Sequence, residues 1–273
     1  MEKVEILKAI LFGIVEGITE WLPISSTGHL ILLENFVKLN MPADFIEMFR
    51  VVIQLGAIMA VVVLYFHRLN PFSSRKTKYE KRDTFSLWGK IITACLPLIP
   101  LVPFNDKIDR LFYNYQTVAV TLIVYGILFI VVENRNRHRV PSICSISSID
   151  YRSALIIGLF QALALIPGTS RSGATILGSL LIGISRGTAA EFTFFLAIPT
   201  MLGASVVKLC KFGFTYTPAE AAVLLTGVVT AFLVSLLAIR FLVSYIKKHD
   251  FKPFGYYRIA LGALVFAYFL LAH

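Results

Sequence analysis

Charged residues are scarce in this chain of 273 residues: Asp, Glu, Lys and Arg make up 15% of it, whereas 57% of its residues are hydrophobic. Soluble domains carry about 25% charged residues, so the composition excludes an ordinary soluble enzyme. The segments between the apolar runs are too short to form a separate soluble domain. We therefore predict an all-α polytopic membrane protein with a single membrane domain over residues 1–273.

Cysteine is also rare. Cys95, Cys144 and Cys210 are far apart in the sequence and have no neighbouring histidine, which argues against a disulfide framework and against a thiolate metal site.

The net charge of the chain is +10, a value that nucleic-acid-binding proteins also reach. Most basic residues, however, lie between apolar segments, where they orient helices in a membrane. We expect no nucleic-acid partner.

The apolar segments fall into two length classes. Six are long enough to cross a bilayer, which takes about 20 residues: approximately 46–66, 88–104, 117–133, 191–210, 219–241 and 254–271. Four others are mostly shorter and are joined in pairs at Pro23 and at Pro167–Gly168: about 6–22, 24–39, 152–166 and 172–185. Because proline interrupts a helix, we predict six transmembrane helices plus two re-entrant helix pairs.

Basic residues concentrate in three connections, around 68–90, 135–152 and 247–252, which we therefore assign to the cytoplasmic side. Three spans then separate the first re-entrant pair from the second, and an odd number of crossings reverses direction. The chain is thus predicted to be an inverted-topology repeat, approximately 1–133 and 152–273, linked by a basic cytoplasmic loop. Both re-entrant loops should meet near the bilayer midplane and share one pocket.

A weak internal repeat supports this arrangement. At a shift of about 145 residues, five positions of the first half match the second, namely Gly13 with Gly158, Glu16 with Gln161, Ser25 with Ser170, Thr27 with Ser172 and Gly28 with Gly173. Chance matching of small residues in apolar helices is the alternative explanation.

The first loop contains two acids four residues apart, Glu16 and Glu20, which project from one face of a helix. Carboxylates at membrane depth are costly and are typical of functional sites. They suit a divalent cation such as Mg²⁺ or Ca²⁺, with substrate phosphate completing its coordination. A polar helix interface with protonated acids is the alternative.

Three hydroxyl residues follow Pro23, namely Ser25, Ser26 and Thr27. Hydroxyls and backbone N–H groups at a helix start attract anions, although N-capping alone explains at least one of them. His29 is the one histidine within an apolar segment. Because Ser26 is close to His29 and Glu20 in sequence, a nucleophile and its base could lie together here.

The second loop supplies a positive charge, Arg171, flanked by Ser170 and Ser172. The planar guanidinium group fits phosphate oxygens, and a salt bridge from Arg171 to Glu16 or Glu20 is the alternative. A pocket with two carboxylates repels an anion unless a cation joins them. A diphosphate bridged by a metal ion fits, and a cavity open to lipid indicates a lipid diphosphate.

At these positions the chain strongly resembles the undecaprenyl-diphosphate phosphatase family of bacteria, also called the bacitracin-resistance protein family. The resemblance covers essentially the whole chain. It rests on the acidic E-x-x-x-E with P-x-S-S-T-G-H, here Glu16–Glu20 and Pro23–His29, and on P-G-x-S-R-S-G-x-T, here Pro167–Thr175. Together, the two intact motifs are highly specific.

The resemblance implies an enzyme of the bacterial inner membrane that hydrolyses undecaprenyl diphosphate to the monophosphate carrier used in peptidoglycan synthesis. It implies dependence on a divalent cation and a site that faces the outer side of the membrane. A transporter or flippase for an anionic isoprenoid lipid is the competing class, because inverted repeats with broken helices are typical of transporters. A homodimer is left open.

Family roles then follow for individual residues. The resemblance assigns metal coordination or acid–base duty to Glu16 and Glu20, phosphate clamping to Arg171, and hydrogen bonding of the diphosphate to Ser170 and Thr27. Ser26 is our first choice of nucleophile, with Glu20 or His29 as base; direct attack by His29 or by a metal-activated water stays open. Gln54, within an apolar span, is a further candidate partner of the site.

Overall fold

The computed structural model describes residues 2–112, 114–213 and 215–271. Over these residues the regular structure is helical. The helices are α1 (Glu2–Thr19), α2 (Ser26–Phe36), α3 (Ala43–Leu64), α4 (Phe66–Leu69), α5 (Lys78–Cys95), α6 (Asn105–Phe112), α7 (Tyr115–Asn136), α8 (Tyr151–Ala162), α9 (Arg171–Leu181), α10 (Arg186–Phe212), α11 (Pro218–Tyr245) and α12 (Lys252–Leu271). Short 3₁₀ segments, Leu96–Phe104 and Leu163–Leu165, follow α5 and α8.

Six of these elements are long and apolar enough to cross a membrane: α3, α5 with its 3₁₀ extension, α7, α10, α11 and α12. They coincide with the six predicted spans, so the prediction of a multi-pass membrane protein is confirmed. The second span begins about ten residues earlier than the predicted 88, because the side chains of Thr77 and Glu80 form a capping box at the start of α5,.

The four predicted shorter segments are also helices. α1 ends at Thr19 and α2 begins at Ser26, on either side of the break at Pro23. In the second half α8 ends at Ala162 and α9 begins at Arg171, beyond Pro167 and Gly168. α2 and α9 have 11 residues each, about 16 Å of helix, which is too short to cross the hydrocarbon region.

Helices of one half pack against helices of the other. α1 lies along α11, and α8 lies along α5. Glycine permits both contacts: a Cβ atom on Gly13 would lie 2.7 Å from the Gly227 carbonyl oxygen, and one on Gly158 would lie 2.3 Å from that of Ala94. Small residues allow close backbone approach where apolar burial drives little association.

The short helix α9 lies in the interior of the protein, and every residue from Ser172 to Leu180 is buried. It packs against α7, α8 and α10, within an apolar core that includes Trp21 and Phe194. Large apolar side chains on the spans point outward instead, such as Val63, Leu225 and Leu237, as expected of lipid-facing surfaces. The interior therefore places the start of α9 close to the α1–α2 connection.

Candidate active site

Two serines with an unusual backbone begin the short helices α2 and α9. Ser25 has φ of 73° and Ser170 has φ of 70°, and they are the only non-glycine residues with positive φ in the described part of the chain. Each side chain caps its helix: Ser25 Oγ accepts from the Gly28 N–H at 3.3 Å and Ser170 Oγ from the Gly173 N–H at 3.1 Å. Such strain is found mainly at functional sites.

Glu20 connects the two loops. Its Oε2 atom accepts a hydrogen bond from Ser26 Oγ at 2.9 Å, and its Oε1 atom accepts one from Arg171 Nη2 at 3.1 Å. Arg171 is 151 residues away in sequence. The salt bridge named above as the alternative explanation for Arg171 is therefore present. It also brings a carboxylate, a hydroxyl and a guanidinium group to one place.

The guanidinium group of Arg171 forms hydrogen bonds through two of its three nitrogen atoms. Its Nη1 atom donates to the Thr193 carbonyl oxygen on α10 at 3.0 Å, and the group lies 6.0 Å from the ring centre of Trp21. Its Nε atom is buried and has no hydrogen-bond partner. A buried N–H group without a partner is costly, so Arg171 retains capacity to bind a further acceptor such as a phosphate oxygen.

The two serines of the second loop, Ser170 and Ser172, have different surroundings. Ser172 is buried and donates to the Glu20 carbonyl oxygen at 3.0 Å, which fixes the loops to each other through the backbone. Ser170 is half-buried, and its Oγ atom lies 3.1 Å from Ser172 Oγ. Ser172 therefore stabilises the junction of the loops, while Ser170 retains partial exposure.

Glu16 is completely buried, and neither of its carboxylate oxygens has a hydrogen-bond partner. It lies within electrostatic range of Glu20 and Arg171. A buried carboxylate without partners is unfavourable; a proton or a cation would compensate it. Among the described residues no group of three or more His, Cys, Asp and Glu side chains could hold a metal ion. A cation at this site would therefore have at most the two carboxylates of Glu16 and Glu20 as its acidic ligands.

The imidazole of His29 is engaged on both sides. Nδ1 lies 2.7 Å from the Ser25 carbonyl oxygen, and Nε2 lies 2.7 Å from the hydroxyl of Tyr257 on α12. The rings of His29 and Tyr257 are parallel, with centres 5.6 Å apart. A carbonyl accepts hydrogen bonds only, so the neutral ring carries its proton on Nδ1 and accepts the Tyr257 hydroxyl at Nε2.

The remaining predicted residues make fewer contacts. Thr27 is half-buried at the start of α2, and Gln54 is half-buried on α3. Neither side chain makes a hydrogen bond to another residue that the structure describes. Thr27 directly follows Ser25 and Ser26, whereas Gln54 lies on a different helix, α3.

Arg258 on α12 belongs to this site, and the sequence interpretation missed it. Arg258 is fully buried, and its Nη1 atom donates to the Pro23 carbonyl oxygen of the first loop at 3.2 Å. Its Nη2 atom donates to the carbonyl oxygens of Gly168 and Thr169 in the second loop, at 2.8 and 2.9 Å. One side chain thus holds both loops. The sequence feature that could have identified it is an arginine inside the last apolar span, because charged residues within a membrane segment are typical of functional sites.

Comparison with known proteins gives one consistent result. The Bacitracin resistance protein BacA family matches residues 9–264. A protein named undecaprenyl-diphosphatase from Lachnoclostridium phytofermentans is 62% identical over the full length of both chains. Proteins of the same name from Acetivibrio thermocellus and Enterococcus faecalis are 62% and 58% identical, over 97% and 96% of this chain and 98% and 97% of their own.

Proposed function

Because the chain belongs to the Bacitracin resistance protein BacA family, we propose that it is a membrane phosphatase that hydrolyses undecaprenyl diphosphate to undecaprenyl phosphate and inorganic phosphate. The membership of this family that the two motifs predicted is confirmed by the family match and by the relatives. Hydrolysis of the diphosphate recycles the lipid carrier for cell-wall synthesis and confers resistance to bacitracin. The names of the relatives favour this enzyme over a transporter.

The observation that carries the site assignment is the double contact of Glu20 with Ser26 and Arg171. The hydrogen bond from Ser26 Oγ to Glu20 Oε2, at 2.9 Å, has the geometry required of a nucleophile and its general base,. Arg171 lies on the other side of the same carboxylate. A phosphate that binds the guanidinium group would therefore lie next to the Ser26 hydroxyl.

In the proposed reaction, Ser26 Oγ attacks the terminal phosphorus atom while Glu20 takes the hydroxyl proton. The bond from the terminal phosphorus to the bridging oxygen breaks, and undecaprenyl phosphate leaves with the proton that Glu20 donates to the bridging oxygen. Glu20, ionised again, then takes a proton from the water that attacks the phosphoserine; the bond from phosphorus to Ser26 Oγ breaks, inorganic phosphate leaves, and Glu20 returns the proton to Ser26 Oγ. Arg171 stabilises the charge that develops on the phosphoryl oxygens.

His29 is less suited to either role, since both of its ring nitrogens are engaged. Its ring instead connects the first loop to Tyr257. Direct attack by His29 requires its hydrogen bond with Tyr257 to break. A metal-activated water in place of Ser26 stays an alternative.

The carboxylates of Glu16 and Glu20 would hold the divalent cation, Mg²⁺ or Ca²⁺. The orphaned oxygens of Glu16 fit this assignment, and Mg²⁺ commonly takes one or two protein carboxylates together with substrate phosphates. When bound, the cation supplies positive charge that offsets the diphosphate. Ser25, Thr27, Ser170, Ser172 and Gln54 are assigned to substrate binding.

The two short helix pairs are re-entrant in our proposal and related as inverted repeats. Several contacts support this symmetry. α1 packs on α11 of the second half as α8 packs on α5 of the first. Thr121 on α7 donates to the Pro167 carbonyl oxygen at 2.8 Å, as Arg258 on α12 donates to that of Pro23. The matching conformations of Ser25 and Ser170 agree with the same symmetry.

The proposed location is the bacterial inner membrane, with the site accessible from the outer side. The three basic connections support this orientation, since positive loops remain in the cytoplasm. The isoprenoid tail would then stay in the lipid while the diphosphate enters between the two loops.

The direct test is phosphate release from undecaprenyl diphosphate by the purified protein, with and without a chelator. We expect turnover that the chelator abolishes and added Mg²⁺ or Ca²⁺ restores. Arg171→Ala should lower kcat/KM by about 10²–10³-fold, the effect typical of removing a preorganised donor. Absence of turnover by the wild-type protein with either ion would favour the transporter, and near-normal activity of Arg171→Ala would refute the role of Arg171.

A further inference from the structure

A polar cavity lies away from the loops that form the proposed active site. It has a volume of about 590 Å³ and lies among the end of α7, the loop after it, the turn between α9 and α10, and Ile246 at the end of α11. α9 separates it from Arg171 by most of its length, about 15 Å. A cavity of this size fits a small organic ligand.

The charge of the cavity lining is positive. Arg137, Arg139 and Arg186 line it, against the single carboxylate of Glu133. That carboxylate is buried and already occupied: it accepts from Arg186 Nε at 2.9 and 3.1 Å and from the Phe251 N–H at 3.0 Å. Glu133 therefore neutralises Arg186 and leaves the other two arginines uncompensated.

The side chains of Arg137 and Arg139 make no hydrogen bond or salt bridge to any residue that the structure describes; only their backbone N–H groups do, with Asn134 and Asn136. Both residues are exposed at the edge of the cavity, so their guanidinium groups are accessible to an anion from solution. Their planar donor sets match phosphate oxygens and can bind them in pairs.

The wall that carries these arginines is fixed to the rest of the protein. The N–H groups of Ser142 and Ile143 donate to the Gly183 carbonyl oxygen at 2.9 and 3.2 Å, and the Ser185 N–H donates to the Ile143 carbonyl oxygen at 2.8 Å. The loop after α7 is thereby held against the turn between α9 and α10. The cavity is therefore part of the folded structure.

The deeper lining is apolar. Leu180 and Ile246 are buried side chains of this cavity, so its volume exceeds what a phosphate ion needs and offers an apolar surface beside the charges. This combination of charged and apolar lining fits a ligand in which a phosphate group is joined to a less polar group. Basic pockets between helices at the cytoplasmic surface are known to suit anionic lipid headgroups.

We propose that this cavity binds a phosphate-bearing anion through Arg137 and Arg139, at the basic end of the membrane domain. This site is separate from the proposed phosphatase function. A lipid headgroup and free phosphate share the required chemistry, and the experiment below distinguishes them.

The test measures binding of phosphatidylglycerol to the purified full-length protein by native mass spectrometry, with phosphatidylcholine as the zwitterionic reference. The variant is Arg137→Gln with Arg139→Gln. The matched control is Arg135→Gln with Arg152→Gln, which removes the same charge from exposed residues that do not line the cavity. We expect the affinity for phosphatidylglycerol to fall at least about 10-fold in the variant and about 2-fold or less in the control.

A parallel arm adds inorganic phosphate as competitor. Displacement of phosphatidylglycerol by millimolar phosphate would assign the site to the phosphate group alone, whereas lack of competition would assign it to the lipid. Equal losses in both double variants, or no preference of the wild type for phosphatidylglycerol, would overturn the proposal. An unchanged Tm of both double variants in detergent reports that they are folded, so the outcome does not depend on the proposed enzymatic function.

Discussion

Ser25 and Ser170, 145 residues apart, share one rare backbone conformation and one function as helix caps. Their φ angles differ by only a few degrees, at 73° and 70°, and each hydroxyl accepts from the N–H group three residues later. A side chain in this region of φ costs about 1–3 kcal/mol. Both loops thus contain the same strained turn at the residue that caps the following helix, α2 or α9.

This strain predicts a difference between two substitutions of Ser25. Ser25→Ala loses the cap, at about 1 kcal/mol, and keeps the strain. Ser25→Gly adopts positive φ freely and loses only a few tenths of a kcal/mol as a cap. We expect Ser25→Ala to lower Tm in detergent more than Ser25→Gly does. Ser170 should give the same order, and a reversed order at either position would contradict the strain argument.

Removal of the Glu20 charge should abolish most activity. Glu20→Gln keeps the size of the side chain but cannot act as general base for Ser26 and weakens the pair with Arg171, so we expect kcat to fall by about 10²–10⁴-fold. The control is Glu47→Gln, which removes an exposed partner of Lys208 and should change kcat less than about 2-fold. Phosphate release under saturating substrate and Mg²⁺ measures both, and similar losses in the two variants would speak against Glu20 as base.

Substitution of Glu16 should change the dependence of activity on Mg²⁺ concentration more than it changes the KM for the substrate. Because its two oxygens have no protein partner, Glu16→Gln should raise the Mg²⁺ concentration for half-maximal activity by about 10-fold or more. Titration of activity with Mg²⁺ after chelation measures the shift. An unchanged Mg²⁺ dependence, with the stability of the variant unaltered, would remove Glu16 from the metal site.

Arg258 should act as a positioning residue. Arg258→Met leaves three buried carbonyl oxygens without donors, each at about 1–3 kcal/mol, and removes one of the connections between the two loops. We expect lower stability and a lower kcat/KM, with partial recovery in Arg258→Lys, which restores the charge but not the planar donor geometry.

The control for Arg258 is Arg240→Met, since Arg240 is an exposed residue of the neighbouring span α11. It should leave both Tm and kcat/KM near the wild-type values. If Arg258→Lys behaved as Arg258→Met in stability but retained full kcat/KM, the residue would be structural only.

Close contact between the halves predicts a contrast between two glycines. A Cβ at Gly158 would lie 2.3 Å from the Ala94 carbonyl oxygen, whereas nothing lies within 4 Å of one at Gly203. Gly158→Ala should therefore destabilise the protein by about 1–3 kcal/mol, and Gly203→Ala should be neutral or stabilising in its helix. Thermal unfolding of both variants provides the comparison.

The spans could be predicted from sequence because uninterrupted apolar runs are a strong signal. The start of the second span was misplaced because α5 begins with a charged stretch, Lys78–Lys90, which interrupts the apolar run from which the span was predicted. The capping pair Thr77 and Glu80 marks the observed start. A search for capping boxes beside the apolar runs would have corrected the boundary.

The meeting of Glu20 with Arg171 could be anticipated, because opposite charges in two broken apolar segments require each other. The contacts of Tyr257 with His29 and of Arg258 with Pro23 could not, since 228 and 235 residues separate the partners. Such contacts depend on how α12 packs. Nor does spacing alone reveal that Ser172 would bond to backbone rather than remain available to the substrate.

The ion pair between Glu20 and Arg171 also shows that the two parts of the chain cannot replace each other. Two copies of the first half would set four carboxylates against one another, and two copies of the second half would set guanidinium group against guanidinium group. Neither pair of identical halves would build this centre, so the chemistry of the site requires the two parts of the chain to differ in charge.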